Sequence, residues 1–216
     1  MDNLVLRTYE QSFNDAIKFT IDKGFSCNLN SSKSNKQALS ELISEISVIF
    51  ANETSMYEKE GFNPIERFSI DCGNVHYAIL NFIENNYPSI NANITVGDVF
   101  VGKNQPFPFN ESKCADWLIN GIPKSLDFHT WITIDDDYIL DCTIGTYINI
   151  RTSLHKEKNL KDNIYGGLIY GNEGNLAGTS FKSLNSKVPK EISDIKYIPI
   201  VIGRKAFLAL AAKYKK

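Results

Sequence analysis

The sequence lacks the usual features of an exported, membrane-inserted or nucleic-acid-binding protein. Its first residues contain no basic stretch followed by an apolar core, and no window approaches the ~18 consecutive apolar residues of a membrane span. Its 23 Lys and Arg against 25 Asp and Glu leave a net charge of -2, with no basic stripe for nucleic acid. We therefore predict a cytoplasmic protein that binds neither a membrane nor nucleic acid.

Cysteine and histidine are also scarce. The four cysteines lack the dense spacing of a disulfide framework, so we expect free thiols: Cys27, Cys72, Cys114 and Cys142. No Cys-x-x-Cys pair favours zinc, no series of spaced carboxylates forms a calcium loop, and the glycine-rich stretch from Gly166 to Gly178 lacks the lysine of a phosphate-binding loop. The sequence predicts no metal and no cofactor.

The sequence contains enough apolar residues to form one hydrophobic core. With 43% hydrophobic residues in 216, the chain can fold as a single domain over residues 1–216. Helical spacing marks residues 1–65, with helices from Leu4 to Lys23 and around Leu39 to Phe50, and we expect this helical front to pack over the rest. A third helix is predicted at Cys72 to Asn86, where apolar positions recur every three or four residues.

Strand patterns begin after the third helix. Short apolar runs predict strands at Ile94 to Val96, Val99 to Val101, His129 to Ile134, Tyr138 to Leu140, Gly167 to Tyr170 and Tyr197 to Ile202. Gly102 to Asp127 is a long loop with a short helix around Cys114 to Ile119, Gly166 to Gly178 is a hairpin or a flexible loop, and a last helix starts near Arg204. This order predicts the α+β class, with a core in residues 66–150 and sheet completion in residues 151–216.

Three residues of the central segment could carry chemistry. Cys72 lies at a helix start, where unpaired backbone N–H groups favour a thiolate. His129 opens one strand and Asp141 closes the next, so the acidic turn between them would bring the two side chains together. The order suggests a thiol nucleophile, its base and the group that orients the base. Strand alternation places Trp131 on the face of His129, where the indole would limit the access of water.

Other roles for these residues stay open. A cysteine on an apolar helix face is often a small core residue, and a histidine on a strand is often a core group with its hydrogen bonds satisfied. Cys72 and His76 share a helix face and could form a zinc site with Cys114, His129 or Cys142. His76 could also replace His129 as the base, but a base on the nucleophile's own helix leaves no cleft for a substrate carbonyl. Cys142 should point away from Asp141, as a core thiol.

The pattern of Cys72 at a helix start, His129-x-Trp131 on a strand and Asp141-x-Thr143 at the end of the next strand resembles the transglutaminase-like branch of the papain-like cysteine protease superfamily. That superfamily also includes arylamine N-acetyltransferases, protein deamidases and bacterial peptidase-like domains. The resemblance covers about residues 68–150. It implies a nucleophile helix packed on an antiparallel sheet, with Cys72 as nucleophile, His129 as base and Asp141 as orienter.

The resemblance also implies a function. We expect a thiol-dependent amide hydrolase (a peptidase, amidase or deamidase) that forms an acyl-enzyme with a peptide or other amide substrate. The alternatives are acyl transfer to an amine and a non-catalytic binding module on the same fold. Many papain-like enzymes carry a glutamine just before the cysteine, but Pro64 to Asp71 contains none. The backbone N–H of Cys72 would then need a second oxyanion donor, and Asn74 and Trp131 are the candidates for the cleft.

Overall fold

The structure, a computed structural model, describes residues 7–27, 33–62, 68, 71–122, 128–147, 167–180 and 195–213. Within these ranges no helix has both the length and the apolar character needed to cross a membrane. The strands and the helix predicted after residue 166 fall inside these ranges, whereas residues 148–166 and 181–194 lie outside them.

Five helices have defined bounds: α1 Tyr9–Asp22, α2 Lys36–Lys59, α3 Cys72–Asn86, α4 Glu111–Asn120 and α5 Arg204–Ala212. The first helix begins at Tyr9 and not at Leu4, because Thr8 and Gln11 form a capping box in which each side chain accepts the other's backbone N–H. At the start of α3, by contrast, Asp71 makes no side-chain capping bond and accepts from the amide of Asn74. The first backbone N–H groups of α3 are therefore not capped by Asp71.

Six strands form one antiparallel sheet in the order β5-β4-β3-β2-β1-β6. Their bounds are β1 Ala92–Val101, β2 His129–Ile134, β3 Tyr138–Asp141, β4 Gly167–Asn172, β5 Ala177–Ser180 and β6 Ile195–Ile202. Five helices and this sheet confirm the predicted α+β class. The C-terminal helix also starts at the predicted residue, Arg204.

Two parts of the sheet refine the prediction. The two strands expected on either side of Gly97 are one strand, β1, because a register shift between Val96 and Gly97 lets the strand continue along β6. The glycine-rich segment is a hairpin of β4 and β5, in which Gly171 and Gly174 adopt φ of 126° and 85°. Of the two alternatives for this segment, the structure therefore contains the hairpin.

Helices cover both faces of the sheet. On one face α1 packs through residues such as Phe13 against a cluster that contains Trp131 and Tyr197. On the other face α2 and α3 pack on a larger cluster that contains Leu140 and Cys142. The two helices of the predicted helical front are thus divided between opposite faces, and the sheet lies between them.

Candidate active site

The start of β2 and the end of β3 meet at one end of the sheet. Antiparallel pairing of Ile132 with Leu140 fixes this arrangement, because the two strands run in opposite directions from that pair. At this end His129 Nε2 lies 2.6 Å from Asp141 Oδ2, and both side chains are buried. The structure therefore places the predicted base and its orienter in direct contact.

The Asp141 carboxylate accepts four further hydrogen bonds. Oδ1 accepts from the backbone N–H groups of Thr143 at 2.9 Å and Ile144 at 3.0 Å, and from the Thr143 hydroxyl at 3.2 Å. Oδ2 accepts from the hydroxyl of Tyr197 at 3.0 Å. Burial alone would raise the pKa of Asp141, but the charge and the hydrogen bond of His129, helped by the backbone N–H of Thr143, outweigh it and hold the pKa below its ordinary value. The carboxylate is ionised although it is fully buried.

The imidazole of His129 is held in its charged form. Burial disfavours the imidazolium, but the charge and hydrogen bond of Asp141, followed by the nearby Cys72 thiol, raise the pKa of His129 above its ordinary value. Since Nε2 faces Asp141, Nδ1 is the ring nitrogen left for the thiol. Cys72 is half-buried at the first residue of α3. The structure thus brings the three predicted residues together.

Two aromatic rings stack on the imidazole of His129. Phe107 stacks on it with ring centroids 5.3 Å apart, and Trp131 stacks with centroids 6.0 Å apart. Trp131 is fully buried, so it covers the imidazole from the core side as the sequence predicted. Phe107 is half-buried in the loop after β1 and contacts Tyr147 at 4.7 Å between centroids. An aromatic face attracts a nearby cation, here the protonated imidazole, and keeps water away from that cation.

The two oxyanion candidates have other hydrogen-bond partners. Asn74 is exposed, and its Nδ2 donates to Asp71 Oδ1 at 2.7 Å. The indole N–H of Trp131 donates to the hydroxyl of Tyr9 at 2.7 Å. The donors that α3 itself offers beside the thiol are therefore its first backbone N–H groups, which the Asp71 side chain does not cap.

His76 belongs to the same cluster, with contacts that the sequence did not predict. Its Nδ1 lies 2.8 Å from the carbonyl oxygen of Cys72, and its Nε2 accepts from the backbone N–H of Cys142 at 2.9 Å. Burial lowers the pKa of His76 to about 4, although the charge of Asp141 acts in the opposite direction. Both ring nitrogens contact backbone groups, so His76 does not act on the thiol. In the described part of the chain, no group of three or more Cys, His, Asp or Glu side chains could hold a metal ion.

The other three cysteines have a different environment. Cys114 and Cys142 are fully buried, and Cys142 is a core thiol as predicted, in the cluster on which α3 packs. Burial raises the pKa of the Cys114 thiol to about 12 and also raises the pKa of Cys27 and Cys142. Cys72, in contrast, lies close enough to His129 to raise the pKa of that imidazole.

Sequence reasoning missed two side chains of the site, Tyr197 and Phe107. A tyrosine on a buried strand needs a partner for its hydroxyl, and this requirement was the available signal for Tyr197. Phe107 lies in a loop with no periodic pattern, so no signal in the sequence pointed to it.

No family model matches this chain, and no curated protein or solved structure is significantly similar to it. The class of the protein rests on its own architecture, that of an α+β protein with a Cys72–His129–Asp141 cluster at one end of an antiparallel sheet.

Proposed function

We propose that the protein is a cysteine hydrolase of amide bonds, a peptidase, amidase or deamidase with papain-like, transglutaminase-like architecture. One observation carries the proposal: a thiol at the start of a helix lies beside a histidine whose pKa a buried carboxylate raises above its ordinary value. This combination supplies a thiolate nucleophile and a proton donor in the same site.

The reaction follows from these positions. The thiolate of Cys72 attacks the amide carbon, and the first N–H groups of α3 stabilise the oxyanion. His129 gives its Nδ1 proton to the leaving nitrogen, the C–N bond breaks, and an acyl-thioester remains on Cys72. His129 then takes a proton from water, whose oxygen attacks the thioester, releasing the carboxylic acid and restoring the ion pair. Asp141 stays ionised throughout and fixes the orientation of the ring.

Acyl transfer is the second candidate, and the shielding of His129 favours it. Phe107 and Trp131 both stack on the imidazole, and only 2% of the His129 surface is exposed. A site that excludes water could accept an amine in its place, with His129 removing the proton of the amine. A binding module on this fold would need no reactive thiol at all.

The test is the alkylation rate of each cysteine by iodoacetamide from about pH 5 to 9, read by peptide mass spectrometry. We expect Cys72 to react fast at pH 6, and His129→Gln to slow that reaction at least about tenfold, because the thiolate loses its cationic partner. Cys27, a half-buried thiol outside the site, is the internal control and should react slowly in both proteins.

A substrate assay separates the remaining alternatives. Release of amine or ammonia from peptide amides should require Cys72 and disappear in Cys72→Ser, and added hydroxylamine should yield hydroxamate from the acyl-enzyme. Hydroxamate formed in preference to acid would favour acyl transfer. If Cys72 reacts no faster than Cys27 at pH 6, the catalytic proposal is wrong and the binding module takes its place.

A further inference from the structure

His76 lies one helical turn after Cys72 and is fully buried. Its two ring nitrogens face one backbone acceptor, the carbonyl of Cys72, and one backbone donor, the N–H of Cys142. Because a backbone N–H can only donate, Nε2 must be the unprotonated acceptor, and the single ring proton must lie on Nδ1, where it is donated to Cys72. The hydrogen bonds therefore define a neutral imidazole in one tautomer.

The two backbone groups that His76 joins belong to the two ends of the site. Cys72 carries the nucleophile on α3, and Cys142 directly follows Asp141 at the end of β3. His129 lies between these ends, its ring edge-on to that of His76 with centroids 6.2 Å apart. His76 therefore connects the start of α3 to the end of β3 directly beside His129.

We propose that His76 is a positioning residue that ties the backbone of the nucleophile to the strand of Asp141 and so sets the contact between Cys72 and His129. This inference rests on the function proposed above. His76 touches neither the thiol nor a substrate carbonyl through its ring nitrogens, so it acts through the two backbone groups that it holds.

The neutral state of His76 is a condition for this role. Its Nε2 lies 3.5 Å from Asp141 Oδ1, so a protonated His76 would compete with His129 for the same carboxylate and would lose the N–H of Cys142. The charged or titratable residues that face it are Asp141 of β3, His129 of β2, Cys72 of α3 and Cys142, which directly follows β3. Burial keeps the imidazole neutral above about pH 4 despite the attraction of Asp141.

The first test compares His76→Phe, which keeps a flat ring without hydrogen bonds, with His76→Gln, whose amide offers both a donor and an acceptor. We expect His76→Phe to slow alkylation of Cys72 at pH 6 about tenfold or more while changing the rate at pH 9 less than about twofold. His76→Gln should recover much of the rate at pH 6. Thr54→Val, which removes another buried hydrogen bond to a backbone carbonyl, should lower stability without changing the pH profile.

A folded His76→Phe protein with the wild-type pH profile would overturn the inference. Because that variant could fail to fold, nitrogen NMR of the wild-type histidine rings gives an independent test. It should show His76 as the neutral Nδ1–H tautomer from about pH 5 to 8, and a ring that titrates near pH 6.5 would contradict the positioning role. An unreactive Cys72 in the wild type, with the expected His76 tautomer, would instead mean that the proposed function has failed and the catalytic role of His76 with it.

Discussion

At the residue scale, Asp141 accepts four hydrogen bonds in addition to its contact with His129. Its Oδ1 accepts the backbone N–H groups two and three residues ahead, and the hydroxyl of Thr143 joins them. This is the local turn that an aspartate forms at the start of a helical segment, and the segment from Ile144 is helical. The motif Asp141-x-Thr143 therefore has a physical reason: it leaves Oδ2 oriented towards His129.

Tyr197 provides a test of this arrangement that keeps the shape of the core. Its hydroxyl donates to Asp141 Oδ2, and Tyr197→Phe removes only that donor. We expect the free energy of unfolding to fall by about 2 kcal/mol, because a hydrogen bond to a buried charged acceptor is lost. Urea denaturation measures the change. Tyr57→Phe, on the half-buried Tyr57 of α2, is the matched control and should stay within about 0.5 kcal/mol of the wild type; equal losses in both variants would contradict the role of Tyr197.

The residues of the site were predictable to different degrees. Cys72, His129 and Asp141 each stand at the end of an element that periodicity predicts, so their types and positions could be combined from the sequence. The roles of His76 and Tyr197 depend on hydrogen bonds to residues 66 and 56 positions away. Such partners follow from strand order and helix placement, which periodicity does not give.

At the scale of elements, the bulge in β1 is what allows the strands to meet under the site. Gly97 pairs with His129 on one side and with Pro199 on the other. A Cβ atom at Gly97 would lie 2.1 Å from the carbonyl oxygen of Ile198 and 2.8 Å from the ring of Trp131. Only glycine lets β1 approach both neighbours this closely. The sequence predicted one strand before Gly97-Asp98 and another after it, whereas both residues lie inside one strand.

Gly97→Ala should therefore be among the costly substitutions in the sheet. We expect the free energy of unfolding to fall by about 3 kcal/mol, because the added methyl group must displace the backbone of β6 or the ring of Trp131. Gly102→Ala is the control: no heavy atom lies within 4 Å of its Cβ position, and its φ of 58° alone should cost about 1 kcal/mol. Chemical denaturation of both variants decides the matter, and equal costs would mean that the close approach at Gly97 is not rigid.

At the scale of the whole molecule, His76 and His129 give stability opposite dependences on pH. The pKa of His76 is lowered to about 4, so its contribution is complete above about pH 6.5 and is lost as pH falls towards 4. The pKa of His129 is raised, so its contribution is complete below about pH 6.5 and is lost as pH rises through the raised value. The two histidines together favour a maximum of stability near pH 6.5.

A comparison of the wild type with His76→Gln can assign the loss of stability at acid pH to His76. Between about pH 6.5 and 4 the wild type should lose about 3 kcal/mol more than His76→Gln, since a glutamine takes up no proton. Asp141 has a lowered pKa and is present in both proteins, so whatever stability it loses near pH 4 is common to both. Urea denaturation of both proteins at the two pH values measures it, and parallel losses would show that His76 is not buried in its neutral form.

The overall architecture was predictable in class but not in arrangement. The spacing of apolar residues predicted the helices and most strands, because it indicates which residues face a core. It does not report which strands are neighbours, so the position of β6 beside β1 was not predicted. Nor does it report which face a helix covers, and α1 and α2 lie on opposite faces of the sheet.

The position of Tyr197 on the sixth strand has a consequence for how the protein is made. Cys72 is synthesised well before β6, whose Tyr197 hydroxyl donates to Asp141. Until that strand pairs with β1, the carboxylate that contacts His129 lacks one hydrogen-bond donor. The order of folding, and not only the order of residues, therefore decides when the arrangement around Asp141 reaches its final form.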